Sequence, residues 1–178
     1  MKRGGVRVGM AAAGFAVGIL SFSAGTAVAG APRCQLRSHA KCAGANLARR
    51  SLRHANLSRA DLRGADLSRA DLRGADLRGA NLTQANLFGA RLERADLSTA
   101  TLTGANLSTA DLRVAKLRRA RLTAVDLRGS MLDDADLTDS FLTDTLFTGA
   151  QGATRAMLDR GNYCNTTLPG GEIVLTEC

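Results

Sequence analysis

Four cysteines, two histidines and an excess of arginine are the residues of this 178-residue chain with chemistry of their own. Cys34, Cys42, Cys164 and Cys178 form an even set that oxidation would join as two disulfides, with three pairings open on count alone. A zinc site is disfavoured, because His39 and His54 are the only histidines and the cysteine spacing matches no zinc pattern. Catalysis finds no constellation either. No Ser-His or Cys-His arrangement stands out, and Asp133 and Asp134 are strand neighbours, not an acid-base pair. The expectation is a chain that is not an enzyme and holds no metal or cofactor. Arginine remains, and its chemistry is anion binding: 24 Lys and Arg against 16 Asp and Glu give a formal charge of +8.

Whether those cations form a surface depends on the backbone that presents them. From Leu47 to Leu142, leucine recurs every five residues, twenty times without a miss, and Phe147 follows in phase. Two residues before these 21 positions stands Ala in 16 cases, and the residue between is Asp or Asn in 13. On an α-helix a five-residue step advances about 140°, so the leucines would spiral over the whole surface. On a straight strand an odd step would send them to alternate faces. A chain that keeps every Leu inside must therefore turn at every repeat. Four turns close a square of roughly 20 residues, with coils about 4.8 Å apart. Leu fills the axis, Ala fits beside it, and Asp or Asn together with Gly in 7 of 21 sites suits the turns.

The units Ala60-Asp61-Leu62-Arg63-Gly64 and Ala75-Asp76-Leu77-Arg78-Gly79 resemble those of the pentapeptide repeat family. The resemblance implies an all-β fold, a right-handed quadrilateral β-helix of about five coils over residues 45–150. Each coil touches only its neighbours, so both ends need caps, expected at 30–44 and 151–178. In the first, Cys42 stands five residues before Leu47 and can take an inward site. In the second, the period is lost at Gly152; residues 153–159 could form a short helix, and 163–168 and 172–177 read as a hairpin around Pro169-Gly170-Gly171. The Cys164 to Cys178 tail is similar to a cysteine segment that follows the repeats in some exported family members. Five coils separate the ends by roughly 25 Å, whereas a disulfide needs Cα atoms within about 7 Å. Cys34 with Cys42 and Cys164 with Cys178 is the favoured pairing.

Residues 1–29 stand apart from the repeat. Lys2, Arg3 and Arg7, the apolar run Met10 to Phe22, and Ala27-Val28-Ala29 before Gly30 have the organisation of a signal peptide. The run is short for a membrane span. The expected mature chain starts near Gly30, is secreted or periplasmic, and has no transmembrane span.

At a 20-residue coil, outward residues stack in columns. One face would carry Arg53, Arg73 and Arg113 with Arg91 and Arg94 beside them; the next, Arg59, Arg78, Lys116, Arg118 and Arg119. Residues 45–122 hold 15 basic and 7 acidic side chains, whereas 123–150 hold one and six, so the rod is dipolar. The basic faces form a candidate surface for an anionic envelope polymer, anionic lipid head groups or a protein partner. The same alternation of Arg and Asp would keep strand edges soluble without any ligand. Nucleic acid is disfavoured, since Phe88 is the sole outward aromatic of the basic half. The family also contains cytoplasmic, acidic DNA mimics that bind DNA gyrase and protect it from fluoroquinolones. That alternative role would need negative charge along the rod and no export signal. Met131, Phe141 and Leu146 replace the usual Asp or Asn near the end; the C-terminal segment or a homodimer would cover them.

Overall fold

The computed structural model describes residues 34–154 and 164–174, the last two, Ile173 and Val174, by backbone alone. The signal peptide expected over residues 1–29, most of the helix expected over 153–159, and Cys178 lie outside the described residues.

Every fifth residue from Lys41 to Met131 bridges in parallel to the residue twenty positions later, beginning with Lys41↔Asp61 and running to Met131↔Gln151. Four such bridges per twenty residues make each coil four-sided. The hydrogen bonding of one repeat explains why. The Asp66 N–H donates to the Ala45 carbonyl of the preceding coil (3.0 Å), and the Leu67 and Arg69 N–H groups donate to Asn86 and Phe88 of the following coil (2.7 and 2.8 Å). The Ala70 N–H turns back to the Leu67 carbonyl (3.0 Å) and closes the corner. That satisfies four of the five amides of the unit. The fifth, on Ser68, donates to Asp66 Oδ1 at 3.0 Å.

This last bond recurs at all thirteen Asp or Asn residues of that position, from Asn46 to Asp136. The residue is thus not a corner residue. It sits on the ladder, and its side chain folds forward over the turn to supply the acceptor that the backbone lacks.

The second corner residue of each turn carries φ near +60°, whether glycine or not: Gly64 has +60°, Val114 and Thr99 +59°. A side chain in this region costs about 1–2 kcal/mol, and the ladder on both sides holds it there.

Inside, the axial leucines from Leu57 to Leu142 are at most 1% exposed, and Phe147 is fully buried. Alanines fill the crowded inner position beside them. Arg50, which breaks the alanine pattern in the first coil, stays exposed. Toward the other end Ser130, Ser140 and Thr145 replace alanine and are fully buried. Their hydroxyls donate to the carbonyls of Leu127, Leu137 and Leu122, each at 2.7 Å, which offsets the cost of burying a polar atom.

Both ends of the stack are closed by chain. Cys42 takes the inward site of the first coil, 2% exposed, and is joined to Cys34 with Cα atoms 4.9 Å apart. At the other end the coil breaks at Gly152, where a Cβ would stand 2.5 Å from the Asp133 nitrogen. The ladder then resumes at 164–169: Asp144, Phe147 and Gly149 donate to the carbonyls of Cys164, Thr167 and Pro169 at 2.8–3.0 Å. Each of these bonds spans one residue more than its counterpart in the repeat, as in Leu127 to Leu146. Thr166 is buried, and its hydroxyl donates to the Leu142 carbonyl. Strand β1 (Thr166–Thr167) pairs antiparallel with β2 (Ile173–Val174). Cys164, 7% exposed, is disulfide-bonded; its partner lies outside the described residues.

Candidate anion-binding surface

The stacked columns fall where the ladder puts them. The N–H groups of His54, Gly74 and Arg94 donate to the carbonyls of Arg73, Glu93 and Arg113, so one edge carries Arg53, Arg73, Glu93 and Arg113 in sequence. Arg59 and Arg78 are linked in the same way along another edge, as are Thr99 and Arg118.

Not all of these cations are available to a ligand. Wherever the sequence reads Asp-Leu-Arg, the arginine folds back onto its own aspartate. Arg63, Arg73, Arg78, Arg113 and Arg128 each donate from Nε to Oδ1 and from Nη2 to Oδ2, at 2.5–2.9 Å. The geometry is a two-pronged guanidinium–carboxylate pair, among the stronger ionic contacts a protein makes. The forked hydrogen bonds hold Asp71 down to about 2, and the same cause lowers Asp61, Asp76, Asp111 and Asp126 below the ordinary carboxylate value. The arginine partners are raised in turn.

The ten cations of the candidate surface therefore divide by their neighbours. Arg73, Arg78 and Arg113 are forked. Arg91, Arg94, Arg118 and Arg119 lie in loose pairs with Asp71, Glu93, Asp136 and Asp139, at 3.5–3.9 Å. Arg53, Arg59 and Lys116 make no ion pair among the described residues. Arg53 is free because Ser51 stands where a fork would need Asp, and Lys116 itself occupies the ladder position before Arg118. Arg121, absent from the candidate set, also makes no ion pair among the described residues, and it too replaces the ladder Asp or Asn. Arg69 lies 5.9 Å from the centre of the Phe88 ring, a cation–π contact on the basic half.

The pentapeptide repeat family model matches eight copies over residues 40–79, 80–119 and 110–149, more than half of the chain. The chain is a pentapeptide repeat protein. The family fold is the right-handed quadrilateral β-helix, and the twenty-residue ladder is its hydrogen-bonded expression.

Among solved pentapeptide repeat structures, the chain is similar to HetL of Nostoc sp. strain PCC 7120, involved in heterocyst differentiation regulation. The two are 30% identical over 73% of this chain and 79% of that one, with a TM-score of 0.31. It is similar also to Rfr23 of Cyanothece 51142, at 27% identity over 61% of this chain and a TM-score of 0.39. The match takes in 63% of Rfr23, less than two thirds of its length. QnrB1, a plasmid-mediated fluoroquinolone resistance protein, aligns at 21% identity over 76% of this chain and 75% of its own, with a TM-score of 0.38. No curated protein sequence matches.

Two further features of this pentapeptide repeat protein bear on partners. Phe141 and Leu146 are 47% and 37% exposed, although Leu146 bridges to Thr167. Among the described residues, no three His, Cys, Asp or Glu side chains converge as metal ligands, and no helix is long and apolar enough to cross a membrane. His54, which the sequence offers only as an unfavoured zinc ligand, lies beside Arg53 and over Gly74 of the next coil. Laying the sequence out at twenty residues per row puts 54 directly above 74, and that is the signal that could have found it.

Proposed function

We propose that the chain is an exported, non-enzymatic binding or scaffold protein, a rod of about five coils that engages an anionic envelope component through its cationic faces. The observation that carries this reading is the sorting of its cations. The forks neutralise Arg73, Arg78 and Arg113 in place, yet Arg53, Arg59, Lys116 and Arg121 make no ion pair among the described residues, on a rod whose residues 123–150 are acidic. Unpaired cations on a rigid β surface give an anion a partner without breaking an existing pair. Export is read from the basic, apolar and small-residue run of residues 1–29. The Cys34–Cys42 staple fits an oxidising compartment.

Two measurements test it. The intact mass of protein from its native cell should correspond to a chain starting near Gly30 whose thiols react only after reduction. That protein should sediment with isolated cell envelope and be released by salt. Free thiols on a chain retaining Met1, or no sedimentation at low salt, would defeat the reading. A DNA-mimicking gyrase inhibitor is the alternative, and an effect on gyrase supercoiling at low stoichiometry would identify it. The exposed Phe141 and Leu146 mark where a homodimer would form, and sedimentation equilibrium decides between monomer and dimer.

A further inference from the structure

The edge carrying Arg53 has an open depression of about 220 Å³, lined by Arg53, His54, Arg73, Gly74, Glu93 and Arg94. Gly74 lines it and lets the His54 imidazole lie close against the backbone. A Cβ there would stand 2.6 Å from His54 Nδ1 and 2.7 Å from Cε1, so the imidazole lies across the position that any other residue would fill. The guanidiniums around it are in different states. Arg53 has no carboxylate partner among the described residues. Arg73 is held by Asp71 through Nε and Nη2, and is 23% exposed, so the fork fixes it in place while Nη1 makes no hydrogen bond among the described residues. Arg94 touches Glu93 only loosely, at 3.7 Å. Arg53 and Arg94, which no fork holds, therefore face Glu93, and the charge-compensated Arg73 adds only the hydrogen-bond donors of its Nη1.

We infer that this depression is a binding site for a single tetrahedral oxyanion, the phosphate or sulfate group of a larger anionic molecule. A guanidinium offers five donors in a rigid plane, and the fork on Arg73 uses only two. Arg53 across the depression supplies a cation for which no carboxylate among the described residues competes. A volume of this size admits one such group with its immediate substituents and leaves the rest of the ligand along the rod surface. The inference rests on the anion-binding reading above and gives it a discrete site instead of diffuse charge.

The test is a titration of the oxidised chain with sodium sulfate against sodium chloride of equal ionic strength at one pH, followed on the ring protons of the two histidines by NMR. His39, whose Nδ1 is hydrogen-bonded to the Ser38 hydroxyl at 2.7 Å outside this depression, is the internal control. The His54 signal should move saturably with sulfate and His39 should not. Arg53→Gln should weaken the response about tenfold, the size of one lost hydrogen bond to a charged group. Gly74→Ala should abolish it, and Arg128→Gln, which removes the same charge from a fork elsewhere, should leave it intact. Thermal melts confirm that each variant is folded. Competition by soluble polyphosphate would place the oxyanion on a polymer, and competition by phosphatidylglycerol vesicles alone would place it on a lipid. A His54 response that never saturates, or that is equal in Arg53→Gln and wild type, overturns the site. Binding to polyphosphate or vesicles with His54 silent would overturn only the site; no binding to either at low salt would remove the anion-binding reading itself.

Discussion

Arg113 reaches back two residues to Asp111, with Nε 2.8 Å from Oδ1 and Nη2 2.7 Å from Oδ2, while its own backbone N–H donates to the same Oδ1 at 3.2 Å. One carboxylate thus completes the turn and immobilises the cation that follows it. Asp111 is 8% exposed, so the carboxylate is largely out of water, whereas the Arg113 side chain is 45% exposed.

The two tasks separate by substitution. Asp111→Asn keeps the Oδ1 acceptor for the backbone and loses the charge, at an expected cost of about 0.5–1 kcal/mol. Asp111→Ala loses the turn acceptor as well and should cost about 1–3 kcal/mol. Urea midpoints measure both; equal losses would mean that the backbone bond contributes nothing.

Stability should fall in acid through the forks. Asp71 has a folded value of about 2, below its ordinary 3.8. A lowered carboxylate stabilises fully above the ordinary value, and the contribution disappears as pH falls through the folded one. Urea midpoints should therefore decline between about pH 4 and pH 2, and the decline should be shallower in Asp71→Asn. An identical pH profile in that variant would show that the pair carries no linkage.

Val114 holds φ +59° with a branched side chain that is 44% exposed. Glycine removes the steric cost and forfeits little burial. Val114→Gly should raise stability by about 1 kcal/mol, despite the larger entropy of the unfolded glycine. A lower melting temperature would show that the turn is not strained.

Leu97 lies fully buried mid-stack. Leu97→Ala should cost about 2–5 kcal/mol, and Leu97→Asp should break cooperative melting by placing a charge on the axis. A Leu97→Asp protein that melts like wild type would contradict the inward register.

Much of this architecture is legible in the period alone. Leu every five residues and Ala two before it require a turning chain with one interior, and Cys42 falls into that register. The role of Asp and Asn was not legible, because propensity ranks them as turn formers without saying whether they occupy the corner or reach into it. Their true position also decides the surface: Asp-Leu-Arg neutralises its arginine, while Ser51-Leu52-Arg53 leaves one free. The return of the chain at Cys164 was hidden for another reason. It depends on a one-residue change of register after a break at Gly152, and a periodicity has nothing to say beyond the point where it ends.

The most direct test of the account compares two sets of charge-neutralising substitutions in binding to anionic envelope material across a salt series. Arg53→Gln, Arg59→Gln, Lys116→Gln and Arg121→Gln remove four cations that make no ion pair among the described residues; Arg73→Gln, Arg78→Gln, Arg113→Gln and Arg128→Gln remove the same formal charge from the forks. On this account the first set should remove most of the salt-sensitive binding, and the second should leave most of it. Equal loss from both sets would contradict it, because the forks would then present their charge to a ligand as freely as an unpaired arginine does.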